Sequence, residues 1–113
     1  MTEQNLLPLS EVTFYILLSL APGAKHGYAI LKDVESMSQG KLRFSTSTLY
    51  DALERMLGQK LIDRVEEGGA QNGGRKRKNY RLNKKGSGLL AAEFKRMQTL
   101  LEVAAPRLQE STR

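Results

Sequence analysis

The chain contains no cysteine and no tryptophan, and only one histidine and three prolines in 113 residues. Without cysteine there can be neither a disulfide framework nor a thiolate metal site. His26 has no second imidazole with which to share a metal ion. Long apolar runs are missing too: the longest apolar-dominated stretch, residues 12–21, is about half of what a membrane-spanning helix needs. No basic leader accompanies Glu3, so no secretory signal is visible and a cytoplasmic protein is expected, with no membrane partner. The Gly-Gly pairs lack the Lys-Ser/Thr ending of a phosphate loop, and no nucleophile sits beside a base in a recognisable pattern. The expectation is therefore not an enzyme, with no metal and no cofactor. One domain is expected, burying roughly two-thirds of its unfolded surface.

The most informative absence is of acidic side chains. None occurs between Gly68 and Ala92. Residues 1–67 hold seven Lys/Arg against nine Asp/Glu, a balance of −2; residues 68–113 hold eleven against three, or +8, which together give the net +6. A single-sign block of this kind points to an anionic partner, nucleic acid or a membrane surface. A solvated basic face is the plainer alternative. No helix combines a basic face with an apolar face open to lipid, which sets the membrane surface aside.

What is present reads as helix, helix, helix, hairpin, helix. Ser10 caps a first helix over residues 12–21, which is apolar nearly all round and stopped by Pro22-Gly23. Residues 26–37 form a second, with Ile30, Leu31, Val34 and Met37 at helical spacing and Gly40 beyond its end. Ser45 caps a third, in which Leu49, Ala52, Leu53, Met56 and Leu57 share one face and Gly58 is the stop. Two short strands, residues 61–67 and 78–82, flank a glycine-rich loop and read as a hairpin. Asn83 caps a last helix running to about Ala105, where Pro106 is expected to bend or end it. Leu90, Phe94, Met97, Leu101, Ala104 and Leu108 make a heptad seam on that helix, assigned to pairing with a second copy.

This order, with charge gathered on the hairpin, predicts a mainly α fold with a two-stranded β wing, a winged helix-turn-helix. Arg75, Lys76, Arg77 and Lys78, carried by a glycine loop, suit backbone phosphate contact. Ser45, Thr46, Ser47 and Thr48 give the third helix a hydroxyl-rich start able to meet phosphates or base edges. Asp51 and Glu54, further along, would repel phosphate and confine contact to the first turn. Lys41 joins the DNA-binding candidates. Lys84 and Lys85 oppose the dipole of the helix they open, which a nearby phosphate would offset and simple solvation would also tolerate.

The motifs "TFYILLSL", "HGYAI", "STLYDALERM" and "GGRKRKNYRLNKKG" together resemble the PadR family of bacterial transcriptional regulators over about residues 11–108. The resemblance implies a DNA-binding winged helix over residues 1–82 and a C-terminal dimerisation helix and tail over 83–113. It also implies a homodimeric repressor of an inverted-repeat double-stranded operator, released by a small aromatic or amphipathic effector. It puts Tyr50 at the DNA face, makes Gly27 a close-packing position, and suggests Tyr15, Phe94 and Met97 as an effector pocket. His26 reads as a local hydrogen-bonding residue, and Tyr28 is left between inward packing and phosphate contact. The chain departs from the family in having Thr46-Ser47 where Pro-Gly is usual, Lys60 where a glycine precedes "LI", and Asn83 in place of threonine. The competing reading is a winged-helix module that binds an acidic protein or RNA without operator specificity.

Overall fold

A computed structural model describes residues 6–67 and 77–111. The elements run α1 (Glu11–Leu20), β1 (Lys25–His26), α2 (Gly27–Met37), α3 (Thr46–Gly58), β2 (Ile62–Glu67), β3 (Arg77–Leu82) and α4 (Lys84–Ser111). Side chains cap the first three helices and satisfy amides that have no partner inside the helix. Ser10 Oγ accepts from the Thr13 amide, and Ser45 Oγ from the Thr48 amide, each at 3.1 Å. His26 Nδ1 accepts from the Ala29 amide at 3.3 Å, which makes the imidazole the cap of α2.

The apolar periodicities converge on one core. Ile16, Leu17 and Leu20 of α1 meet Ile30 and Val34 of α2 and Leu49, Leu53 and Met56 of α3, all buried. Leu61, Ile62 and Tyr80 close it from the sheet side, and Leu89 of α4 is the single fully buried apolar side chain of its helix. Met37, grouped with the α2 core positions by spacing, is exposed instead.

The sheet has three strands, in the order β1-β3-β2, and not the two expected. Lys25 pairs with Tyr80 and His26 with Asn79, antiparallel. Two residues are too few to leave an alternating pattern in sequence, yet they satisfy the edge of β3 that a bare hairpin would leave open. A small polar network anchors this strand. The buried Ser19 hydroxyl donates to Asp33 at 2.8 Å, and the Lys25 ammonium bonds both the Ser19 carbonyl and Asp33. β2 and β3 pair from Ile62↔Leu82 to Glu67↔Arg77.

Gly58 does not stop α3; it is the last helical residue, and the turn comes two residues later. Lys60 takes the left-handed conformation, at φ 63°, that glycine adopts most readily. Its amide bonds Leu57 O and the Leu61 amide bonds Met56 O, both at 3.0 Å, closing a Schellman motif. The turn into β2 thus closes with a side-chain-bearing residue at its left-handed position.

Asn83 caps α4 by accepting from the Gly86 amide at 2.9 Å. A Cβ at Gly86 would lie 2.1 Å from Leu61 O, so only glycine lets the first turn of α4 seat on the sheet. Contrary to expectation, α4 runs on through Pro106 to Ser111, 28 residues in all and ~42 Å long at 1.5 Å per residue. Pro106 removes one amide donor from the Glu102 carbonyl. The surrounding residues are exposed, so water can take its place. The far half of α4 projects from the body, and the radius of gyration is 16.9 Å where a compact chain of this length has about 13 Å. Among the described residues no helix is long and apolar enough to cross a membrane.

Candidate nucleic-acid interface

The first turn of α3 is open to solvent. Ser45, Thr46, Ser47 and Thr48 are all exposed, as is Lys41 in the preceding turn. Ser45 is occupied twice, accepting from the Thr48 amide and donating to Thr48 Oγ1 at 3.0 Å. The Thr48 hydroxyl keeps its own proton to donate outward. Thr46 and Ser47 make no side-chain hydrogen bond among the described residues, so both are available to an incoming ligand. Arg43, exposed in the same turn as Lys41, is a cation that periodicity did not single out.

One turn further along α3, Tyr50 lies 39% exposed with its ring across the start of α2. There it shares with His26, Gly27, Tyr28 and Lys78 an open cleft of about 370 Å³. Tyr28, 61% exposed, points outward and has the Lys32 ammonium 5.6 Å from its ring centre. Because His26 Nδ1 accepts from the Ala29 amide, the neutral ring carries its proton on Nε2 and can donate. Four elements, β1, α2, α3 and β3, thus bring two phenols, an imidazole and an ammonium to one concavity. The "HGY" motif was the sequence signal for it, but only the pairing of β1 with β3 puts His26 and Tyr28 on the same edge as Lys78.

The wing is partly within view. Arg75 and Lys76 lie outside the described residues, and Arg77 is described by its backbone alone, at the start of β3. Lys78 is exposed, and the register sets it across from Glu66 and Arg77 across from Glu67. In sequence these register partners carry opposite formal charge, a pairing of positions that a count of charge along the loop does not reveal.

The carboxylates near α3 are not all free. Glu54 accepts from Arg64 of β2 at 3.3 Å. Arg64 also stands beside the buried Tyr80. Burial pushes the Tyr80 hydroxyl above its ordinary pKa, with Arg64 acting against that and the neighbouring Tyr50 and Glu54 adding to it. Lys85 donates to the Gln59 carbonyl at 3.0 Å and so stabilises the C-terminal end of α3. That contact, and not a phosphate, occupies one of the two lysines that open α4.

The remaining sequence candidates lie along α4. Phe94, Leu101 and Leu108 are 56%, 68% and 63% exposed, whereas Leu90, Met97 and Ala104 are half-buried. The side chains that seat α4 on its own domain are one position away, at Leu89 and Glu93. Glu93 was not foreseen. Its carboxylate is buried, accepting from the Leu9 amide at 2.8 Å and from Arg96 at 2.5 and 3.2 Å. Tyr15, Phe94 and Met97 line neither the cleft above nor a second cavity of about 90 Å³ under Leu6, Leu9 and Leu89.

A helix-turn-helix whose second helix has an exposed, hydroxyl-rich start, followed by a hairpin and a long terminal helix, defines a winged-helix protein of the transcription-factor class. The Transcriptional regulator PadR-like family model matches residues 16–92, and the chain belongs to that family. No curated protein matches it. Among solved structures, a PadR family transcription regulator from Clostridium difficile is 24% identical with a TM-score of 0.73, over 88% of this chain and 99% of that one. A transcriptional regulator from Clostridium thermocellum is 21% identical with a TM-score of 0.69, over 84% and 87%. The Bacillus subtilis PadR in complex with operator DNA is 20% identical with a TM-score of 0.65; the match covers 74% of this chain and 46% of that longer protein.

Proposed function

We propose that this chain is a DNA-binding repressor that acts as a homodimer on an inverted-repeat operator and is released by a small-molecule effector. The observation that carries the reading is the common edge of α2, α3 and β3. The cleft of His26, Tyr28, Tyr50 and Lys78 lies there, one turn along α3 from the exposed hydroxyls of Thr46 and Ser47. Neutral and cationic donors converging on an open concavity suit a phosphodiester, and the first turn of α3 is free to meet base edges. The wing cations Arg75, Lys76, Arg77 and Lys78 add sequence-independent affinity for the backbone. Family membership and the operator complex of the Bacillus subtilis relative support the same reading.

A second copy is the partner that suits the far half of α4, where Leu101 and Leu108 are largely exposed on one stripe. An effector of small aromatic or amphipathic chemistry, taken up among Tyr15, Phe94 and Met97 where two copies meet, would alter the spacing of the two recognition helices. The test is selection of bound duplexes from a random DNA library by the purified protein. The reading expects an enriched inverted repeat, its half-sites spaced by about one or more helical turns. Salt-sensitive retention of every duplex without enrichment would favour a general nucleic-acid binder. No retention at low salt would overturn the reading in favour of a protein-interaction module.

A further inference from the structure

We infer that Gly27 is a positioning residue for nucleic-acid contact: its missing side chain is what lets the Tyr50 phenol lie across the start of α2 and join the cleft with His26 and Lys78. This rests on the proposed DNA-binding role. A Cβ built on Gly27 would stand 2.4 Å from the Tyr50 hydroxyl oxygen, 2.8 Å from Cζ and 3.1 Å from Cε1. Such distances cannot be accommodated unless the ring leaves. The backbone itself does not call for glycine. Gly27 is the first residue of α2, its φ lies outside the left-handed region, and alanine is the better helix former. The glycine therefore serves its neighbour, and the neighbour is a half-exposed tyrosine of the recognition helix.

The clash falls on the far end of one side chain and on no backbone atom. Gly27→Ala should accordingly leave the fold standing and displace Tyr50 from the cleft. Tyr50 reaches Gly27 from another element of the helix-turn-helix, so the pair also fixes where its hydroxyl sits relative to Lys78 of the wing. A phosphate held among these groups loses one donor when the ring swings away.

The experiment compares wild type, Gly27→Ala, Tyr50→Ala and the double variant for binding to a mixed-sequence 30-base-pair duplex at low salt. Gly27→Ala should weaken binding about tenfold, the worth of roughly one hydrogen bond to a charged group. The double variant should be no weaker than Tyr50→Ala alone, because both changes remove the same contact. In the free protein, the nuclear Overhauser contact between the residue-27 Hα and the Tyr50 ring protons should vanish in Gly27→Ala, with the melting midpoint unchanged or raised. Wild-type affinity in Gly27→Ala, or losses that multiply in the double variant, would overturn the inference and leave the DNA-binding reading intact. A wild type that binds no duplex would overturn both. If Gly27→Ala lowers the melting midpoint, removing the ring with Tyr50→Leu should restore it, and a midpoint that stays low would also sink the idea.

Discussion

The two halves of α4 have similar apolar content and different fates. In the first half, Gly86 lies against the Leu61 carbonyl, Leu89 is fully buried, and Glu93 holds the amide of Leu9. In the second, Leu100, Leu101, Val103 and Leu108 are each more than half exposed on a helix that projects from the body. The first half thus completes its own domain. The second buries almost nothing within this chain, although exposing several large apolar side chains on one helix favours association. A heptad stripe alone therefore does not say which part of a helix packs on its own chain; the neighbours of the stripe decide that.

The sharpest way to break the first half is Gly86→Val. The added carbons would meet backbone at Leu61, which cannot swing aside as a side chain can. A loss of about 3 kcal/mol in folding stability is expected from overpacking, measured by urea denaturation. An unchanged midpoint would mean that α4 does not seat as described. Leu101→Glu is the matching change in the second half. Leu101 is 68% exposed within the chain, so folding of the single chain should move by no more than ~0.5 kcal/mol. The light-scattering mass should instead fall to that of one 12.6 kDa chain. A mass equal to that of the wild type would remove α4 from the dimer proposal.

The contrast also shows what was legible in the sequence. Helix positions, capping serines and the core faces of α1 and α3 followed from local chemistry, since each signal lay within a few residues of the atom it governed. Pro106, which α4 runs through, was a local signal that did not hold; the other main misses were non-local. β1 is two residues long and exists because β3 offers it an edge. Glu93 reads as a surface charge on a helix, and only the approach of Leu9, 84 positions away, buries it usefully. The seam on α4 was legible as a stripe, but the split between Leu89, which faces the domain, and Leu90, which is only half-buried, depends on how the helix sits on α1. At the candidate interface, Tyr50 and Lys78 were foreseen separately. Their meeting with His26 and Tyr28 in one cleft needed the fold.

Glu93 marks where the first half ends, and acid tests that boundary. The hydrogen bond from Arg96 holds its carboxyl below the ordinary value of 4.5; burial acts the other way, and the Leu9 amide lowers it further. A depressed folded value means the group adds stability when the pH lies above the unfolded value. That stability is lost as the pH falls through the folded one. Glu93→Gln should therefore lower the melting midpoint at neutral pH, and the gap from wild type should narrow on acidification below about pH 4.5. A gap that is constant from pH 7 to pH 3 would mean that Glu93 contributes no ionised contact to the joint between α4 and the N-terminal segment.

The smallest effect belongs to the joint beneath α4. Lys60 sits at φ 63° with a Cβ, and its carbonyl accepts from Asn83 Nδ2, the cap of α4, at 2.8 Å. Left-handed backbone costs a side-chain-bearing residue roughly 1–2 kcal/mol, and glycine gives back part of the gain through its freer unfolded chain. Lys60→Gly should thus stabilise the fold by about 0.5–1 kcal/mol, raising the urea midpoint with the slope unchanged. The lysine is exposed and its turn hydrogen bonds are made by the backbone, so nothing else is lost. The same substitution should leave the mass in solution as it was, because the strain it removes lies at the seated end of α4 and not along the exposed stripe. A destabilised Lys60→Gly would mean that the lysine side chain makes a contact worth more than the strain of the turn it occupies.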